Sequence, residues 1–294
     1  RGETEYKGGE TDTVETLTKV DGSVSFVLRE KYRLPSLGWL LVAFLVLAVF
    51  CGGITALSSV AGLIVSIGIL AFVLVPRIAA GGDPLFWSLF CSVIIACTSL
   101  YIAHGFNKRT TVSLFATLIT LSIAAVAAIL AVRVSGLFGM GSEEAFLLQT
   151  GPLEGINFRG LLLGGILIGT LGVLDDMTTA QVASVAEVAH HNPRLSFQEL
   201  FLSGSRVGRE HIASLINTLA LAYVGASLPL LLLFKTNDTW PFWVTLNSEF
   251  LAEEIVRTLI GSATLLLAVP ISTWLAAYYF QGGKDLGSGH FHTH

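Results

Sequence analysis

The chain has 294 residues, 53% of them hydrophobic and 13% charged, with a formal net charge of -4 and a mean hydropathy of +0.72. Soluble domains carry about 25% charged residues, so an ordinary soluble globular protein is excluded. The mild charge and the lack of any basic stripe exclude a nucleic-acid partner.

The sequence opens at Arg1 and stays mostly polar up to Gly38, with no signal-peptide pattern. It reads as a fragment or a processed form. Within it, "TVETLTKVDGSVSFVLRE" predicts two strands around a two-residue turn at Asp21-Gly22, both positions of which favour φ > 0. That register sets Leu17 opposite Phe26. A lone hairpin is marginal in water, so residues 1–35 read as the remnant of an extracytoplasmic β domain.

Seven apolar spans follow, over about 38–57, 60–76, 84–104, 111–134, 156–176, 211–234 and 255–280. Each is long enough to cross ~30 Å of hydrocarbon as a helix, the conformation that satisfies every backbone group in lipid. Only Ser58-Ser59 separates the first two, which predicts a tight helical hairpin or, alternatively, one broken helix. Cys51, Cys91 and Cys97 lie inside apolar runs and form no disulfide framework or metal spacing. The expected fold is therefore an all-α polytopic membrane protein, residues 36–280, behind a short β-hairpin segment and before a tail, 281–294.

Lys and Arg in the loops give no clear orientation. Lys108, Arg109, Arg194, Arg206, Arg209 and Lys284 fall on one side; Arg29, Lys31, Arg33, Arg77 and Lys235 fall on the other, with Arg133, Arg159 and Arg257 at span ends. Residues 177–210 are expected in the cytoplasm and the N-terminal segment outside. "TTAQVASVAEVAHHNP" continues as an amphipathic helix ending before Pro193, and "SFQELFLSGSRVGRE" forms a second one with Ser196 and Glu199 at capping-box spacing. Phe197, Leu200 and Phe201 then suit a helix lying on the membrane surface; a plain cytoplasmic connector is the alternative.

The fifth span ends in "GTLGVLDDMTTAQ". Gly165, Gly169, Gly172 and Asp176 recur every three or four residues, so they share one helix face. Small residues let helices approach closely in lipid, and Gly160 and Gly164 add a second small pair. Asp176 is therefore expected inside the bundle. An Asp at a membrane-helix centre costs about 2.5–3.5 kcal/mol, and one held between packed helices exchanges a proton with its surroundings. A proton crossing the membrane releases ~2.3 kcal/mol per 100 mV. The alternative is that Asp175 and Asp176 only favour the N-terminus of the following helix.

Neighbouring spans offer partners. Ser214, Thr218, Ala222, Gly225 and Pro229 share a face with Asn217 beside it, and Asn217 either bonds an Asp or satisfies a backbone carbonyl near a Pro229 kink. In "EFLAEEIVRTLIGS", Glu254 and Arg257 are placed to pair at i,i+3, or Glu253 and Glu254 form a solvated rim. The candidate ion-coupling set is Asp176, Asp175, Asn217, Thr218, Glu254 and Arg257, with Gly165, Gly169 and Gly172 as helix-packing residues. No catalytic residue, resident metal or cofactor is expected. His104 with Asn107, Lys108 and Arg109 is expected to end a span as an interfacial anchor, and the terminal "HFHTH" is expected to be disordered or introduced, with metal chelation the alternative. An aspartyl protease needs two Asp on facing helices, whereas Asp175 and Asp176 diverge by about 100° on one.

Three blocks resemble the YibE/F family of bacterial multispan membrane proteins: "GTLGVLDDMTTAQVASVAEV", "SGSRVGREHIASLINTLALAYVGASLPLLLL" and "EFLAEEIVRTLIGSATLLLAVP". "HGFNKRT", from His104 to Thr110, also matches. The resemblance runs from about residue 36 to 280. Its doubled Asp is similar to actinobacterial members, while other members carry one Asp at the place of Asp176. It implies a bacterial plasma-membrane location and an extracytoplasmic domain after a first span, but no activity. The last three spans also look like one half of a SecDF or RND-type permease, which implies an intramembrane Asp as proton relay; such a half has five spans.

These readings converge on a proton- or cation-coupled secondary transporter, not an enzyme. Its partners are the lipid bilayer, H+ or Na+, a substrate the sequence does not identify and a possible second copy of the chain. The alternative is a SecDF-like assembly or secretion accessory protein.

Overall fold

A computed structural model describes residues 12–18, 24–151, 155–226 and 241–283, with Leu228, Leu232 and Lys235. The chain divides into two units, Arg1–Leu57 and Ser58–His294. The "HFHTH" stretch and most of the segment from 227 to 240 lie outside the described residues.

In the first unit, β1 (Asp12–Thr18) pairs antiparallel with β2 (Val24–Lys31). The described pairing ends at Thr18–Val24, and the turn expected at Asp21-Gly22 lies outside the described residues. Leu17 therefore faces Ser25, and Phe26 faces Thr16, one residue off the expected register. The irregularity between Thr13 and Val14 takes up that residue, and Thr13–Glu30 returns to the expected pairing.

α1 runs from Leu34 to Ile69, and its one non-helical residue is Gly53, with φ 60° and ψ -146°. The helix is continuous through Ser58-Ser59, so the hairpin expected there is replaced by a break five residues earlier. Glycine alone takes this backbone without steric cost. A π-helical turn, Leu70–Leu74, and α2 (Val75–Ala79) continue the same rod. The π turn has a local cause: Pro76 has no N–H and crowds the carbonyl four residues back, and the Val75 N–H reaches five residues back to the Leu70 carbonyl.

Five of the remaining helices of the second unit begin on side-chain caps. Asp83 accepts the Phe86 N–H ahead of α3 (Pro84–His104) and Asn107 that of Thr110 ahead of α4 (Lys108–Val134). Ser142 caps α5 (Glu143–Thr150) and Asn157 caps α6 (Phe158–His191). Ser196 opens α7 (Phe197–Ala226), where the Glu199 carboxylate accepts both the Ser196 N–H at 2.9 Å and its hydroxyl at 2.7 Å. A short α8 (Phe242–Leu246) precedes α9 (Glu249–Phe280).

α6 is the hub, in contact with α3, α4, α7 and α9. Leu167, Leu171 and Leu174 meet Ile95, Leu121 and Leu265 in one apolar cluster. Nearer its start, Leu163 and Ile166 meet Val132, Val256 and Ile260. Past the aspartates, Val182, Val185 and Ala189 meet Val112, Leu200 and Phe280. This last cluster corrects the surface-helix expectation for residues 177–210. Leu200 is 0% exposed, and Phe197 and Phe201 pack at the cluster's edge. The segment extends the bundle instead of lying on lipid.

Among the described residues five helices are long and apolar enough to cross a membrane: Leu34–Ala79, Pro84–His104, Lys108–Val134, Phe158–His191 and Glu249–Phe280. The expected count of seven is thereby corrected. The first two expected spans form one 46-residue run, and the expected 211–234 span falls largely outside the described residues.

Glycine use yields a first prediction. A Cβ on Gly204 would lie 2.6 Å from Val185 Cγ2 and 2.8 Å from Thr273 Cγ2, while nothing described lies within 4 Å of one on Gly169. Gly204→Val should cost about 1–3 kcal/mol by overpacking and lower the Tm in detergent, whereas Gly169→Ala should leave it equal or higher. A second concerns pH. The backbone N–H and then the hydroxyl of Ser196 hold the exposed Glu199 carboxyl below the usual glutamate range. Because the folded value is the lower one, its support for the first turn of α7 is complete above that range and lost as pH falls through it. Amide exchange at residues 197–200, corrected for intrinsic rates, should rise there in the wild type and be already raised, without that pH step, in Glu199→Gln.

Candidate functional site

A cavity of 330 Å³ lies among α1, α3 and α6 of the second unit. Its apolar wall includes Leu63, Ile67, Leu70, Ile95, Leu100 and Ile168. The polar part of the lining comes from Ser59 and Ser66 of α1, Ser99 and His104 of α3, and Asp175 and Asp176 of α6. Ser99 stands five residues before the end of α3, about 7.5 Å at 1.5 Å per residue. The aspartates thus sit below the helix end, not beyond it.

The two acids differ. Asp176 is exposed, whereas Asp175 is largely enclosed. The Ser99 hydroxyl donates to Asp175 Oδ2 at 2.8 Å. The other oxygen, Oδ1, is buried and has no hydrogen-bond partner. An oxygen taken out of water without a donor costs about 1–3 kcal/mol, more when charged. Sequence reasoning favoured Asp176 as the acid inside the bundle; the structure gives that place to Asp175.

The rest of the predicted set is dispersed. Gly169, Gly172 and Asp176 are exposed, and Cβ atoms built on Gly169 and Gly172 meet nothing described within 4 Å. One on Gly165 would meet only Arg257 Nη1, at 3.7 Å. These three are therefore not helix-packing glycines. That role belongs to Gly160, against Asn157 and Pro84, and to Gly164, whose Cβ would overlap the Ser88 side chain. Asn217 and Thr218 are exposed on α7 and are not among the residues lining the cavity. Glu254 pairs with Arg257 at 3.5 Å, as the i,i+3 spacing predicts. Arg257 approaches α6 at Gly165, however, ten residues or about 15 Å before Asp175 along the helix. That pair does not join the aspartates.

Three polar contacts of α6 were missed. Beyond Asp175 and Ser99, Thr178 shares a buried 2.7 Å hydrogen bond with Thr117 of α4. Gln181, 0% exposed, donates through Nε2 to the Gly204 carbonyl of α7 at 2.8 Å and to Thr273 Oγ1 of α9 at 2.7 Å. Positions 175, 178 and 181 step by three, which was the available signal, and it was masked by the glycine pattern. A second missed feature lies at the other end of the bundle. Glu249 Oε1 accepts the N–H groups of Phe138, at 2.6 Å, Gly139, at 3.0 Å, and Met140, at 3.4 Å, while Glu253 Oε1 accepts that of Gly141, at 2.9 Å. Glu253, 6% exposed, is thus a loop anchor and not a solvated rim.

Five apolar helices and an enclosed carboxylate beside a cavity define a multi-pass α-helical membrane protein with a polar site among its helices. The model of the YibE/F-like protein family matches residues 40–282, and the chain belongs to that family. No curated protein and no solved structure matches it.

The Glu249 clasp predicts a local effect. Glu249→Ala should strip three N–H groups of their acceptor and lower stability by about 1–3 kcal/mol. The check is Tm in detergent together with faster tryptic cleavage at Arg133 or Arg159, which flank the loop.

Proposed function

We propose that this protein is a secondary transporter coupled to a proton or a cation, and that Asp175 is its coupling group. The observation that carries the reading is Asp175 Oδ1, buried without a partner while Oδ2 is held by Ser99. A proton or a cation supplies the missing partner. Occupancy of Asp175 then changes how strongly α6 is bound to its surroundings, and a ligand that favours one arrangement shifts the helices towards it. The site lies inside the span of α6, where moving one charge through the membrane potential is worth ~2.3 kcal/mol per 100 mV. Asp176, exposed on the cavity lining, adds negative charge and attracts cations to the site. The bacterial plasma membrane, with residues 1–35 outside, is the setting this reading adopts.

Purified protein in liposomes under an imposed pH gradient tests it. Asp175→Asn should reduce proton flux by more than about tenfold, with Asp176→Asn closer to wild type. If the two variants exchange ranks, the coupling group is Asp176. Equal flux in the wild type and both variants removes the carboxylates from the mechanism.

A further inference from the structure

The chemistry of the cavity lining narrows the substrate, given the transporter reading on which this inference rests. Asp175 and Asp176 on α6 and His104 on α3 are the titratable groups among the lining residues; α1 contributes Ser59 and Ser66 and no charge. Among the described residues no Lys or Arg lines the cavity. Two carboxylates against one imidazole give the site a negative balance, which repels anions and rewards a cation.

The walls decide what kind of cation. A bare inorganic ion needs several oxygen ligands to replace its water. Among the described residues no group of three or more His, Cys, Asp or Glu side chains is placed to hold a metal ion. Seven of the sixteen lining residues are leucine or isoleucine, which offer an apolar surface. A volume of 330 Å³ falls at the lower end of the ~300–1,000 Å³ range of small-molecule sites. The π-helical turn beginning at Leu70 widens α1 beside this wall, at a kind of irregularity that recurs at functional sites.

We propose that the cavity binds a small organic cation, its apolar body against Leu63, Ile67 and Ile168 and its charged group beside Asp175, and that this cation and a proton compete for the Asp175 carboxylate. Charge balances: one positive charge enters as the proton on Asp175 leaves to solvent. The substrate class is thus a monovalent amine or quaternary ammonium compound with a compact apolar group.

The test uses the full chain in detergent and benzyltrimethylammonium, whose charge is permanent, against its uncharged isostere neopentylbenzene. Isothermal titration in two buffers of different ionisation enthalpy counts protons. Saturable binding of the cation with proton release, at least about tenfold tighter than the isostere, supports the proposal. Asp175→Asn should abolish both binding and release. Gly172→Leu guards against a folding artefact: Gly172 lines the cavity and a Cβ there meets nothing described within 4 Å, so the leucine should block binding with both carboxylates intact. Equal binding of the isostere, or binding unaffected by Asp175→Asn, overturns the proposal. So does saturable binding of sodium alone that excludes the probe. Failure of the probe to bind while Asp175-dependent proton flux persists in liposomes overturns the substrate class and leaves the transporter reading standing; loss of both overturns the two together.

Discussion

The structure depends on how one long helix is held. In lipid no hydrophobic force drives helices together, so close packing and interhelical hydrogen bonds do the work. α6 shows the second device in a regular form. Asp175 is tied to α3 through Ser99, Thr178 to α4 through Thr117, and Gln181 to α7 and α9 through Gly204 and Thr273. Three polar residues spaced by three fix four neighbours, each at a different height. Apolar clusters above, around and below fill the space between, but they do not by themselves set register. Leucine against leucine tolerates sliding; a buried amide with two acceptors does not.

Asp175 differs from its two fellows in charge and in place. Thr178 donates to the Leu174 carbonyl at 2.9 Å and shares a hydrogen bond with Thr117, while Gln181 donates to two partners and keeps its Oε1 buried without one. Asp175 likewise has one oxygen bound and one buried and unpartnered. Of these two open acceptors, the carboxylate is the one on the cavity. A structural acid looks different, as Glu249 and Glu253 show at the far end of the bundle. There Oε1 of each acid accepts backbone N–H groups of the loop after α4.

Much of this was legible in the sequence. The membrane class followed from composition, the cap of α7 from the Ser196–Glu199 spacing, and the Glu254–Arg257 pair from i,i+3 geometry. The face of α6 was not. Gly165, Gly169, Gly172 and Asp176 lie about 180° from the face that carries Leu167, Leu171, Leu174, Thr178 and Val185, and the latter is the buried one. In a soluble helix polarity would have separated the two faces. Here both are free of charge over most of their length, and small residues on one competed with large apolar ones on the other. Small residues mark a close approach only where a neighbour comes close, as Ser88 does at Gly164 and Val269 does at Gly208.

Where the helices break was equally hidden, for a reason that bears on function. Ser58-Ser59 looks like a turn because both residues are polar, yet serine in a membrane helix keeps its hydroxyl bonded to nearby carbonyls and need not interrupt it. Ser66 does this toward Gly62, and Ser58 reaches across to the Ala103 carbonyl at 3.2 Å. That reach brings α1 against α3 at the residues that line the cavity. The interruptions fall instead at Gly53, through its backbone, and at Pro76, through its missing N–H. Between them lies the stretch of α1 that forms one side of the cavity. Both interruptions follow from backbone chemistry, a positive φ at one and a missing N–H at the other, and polarity marks neither.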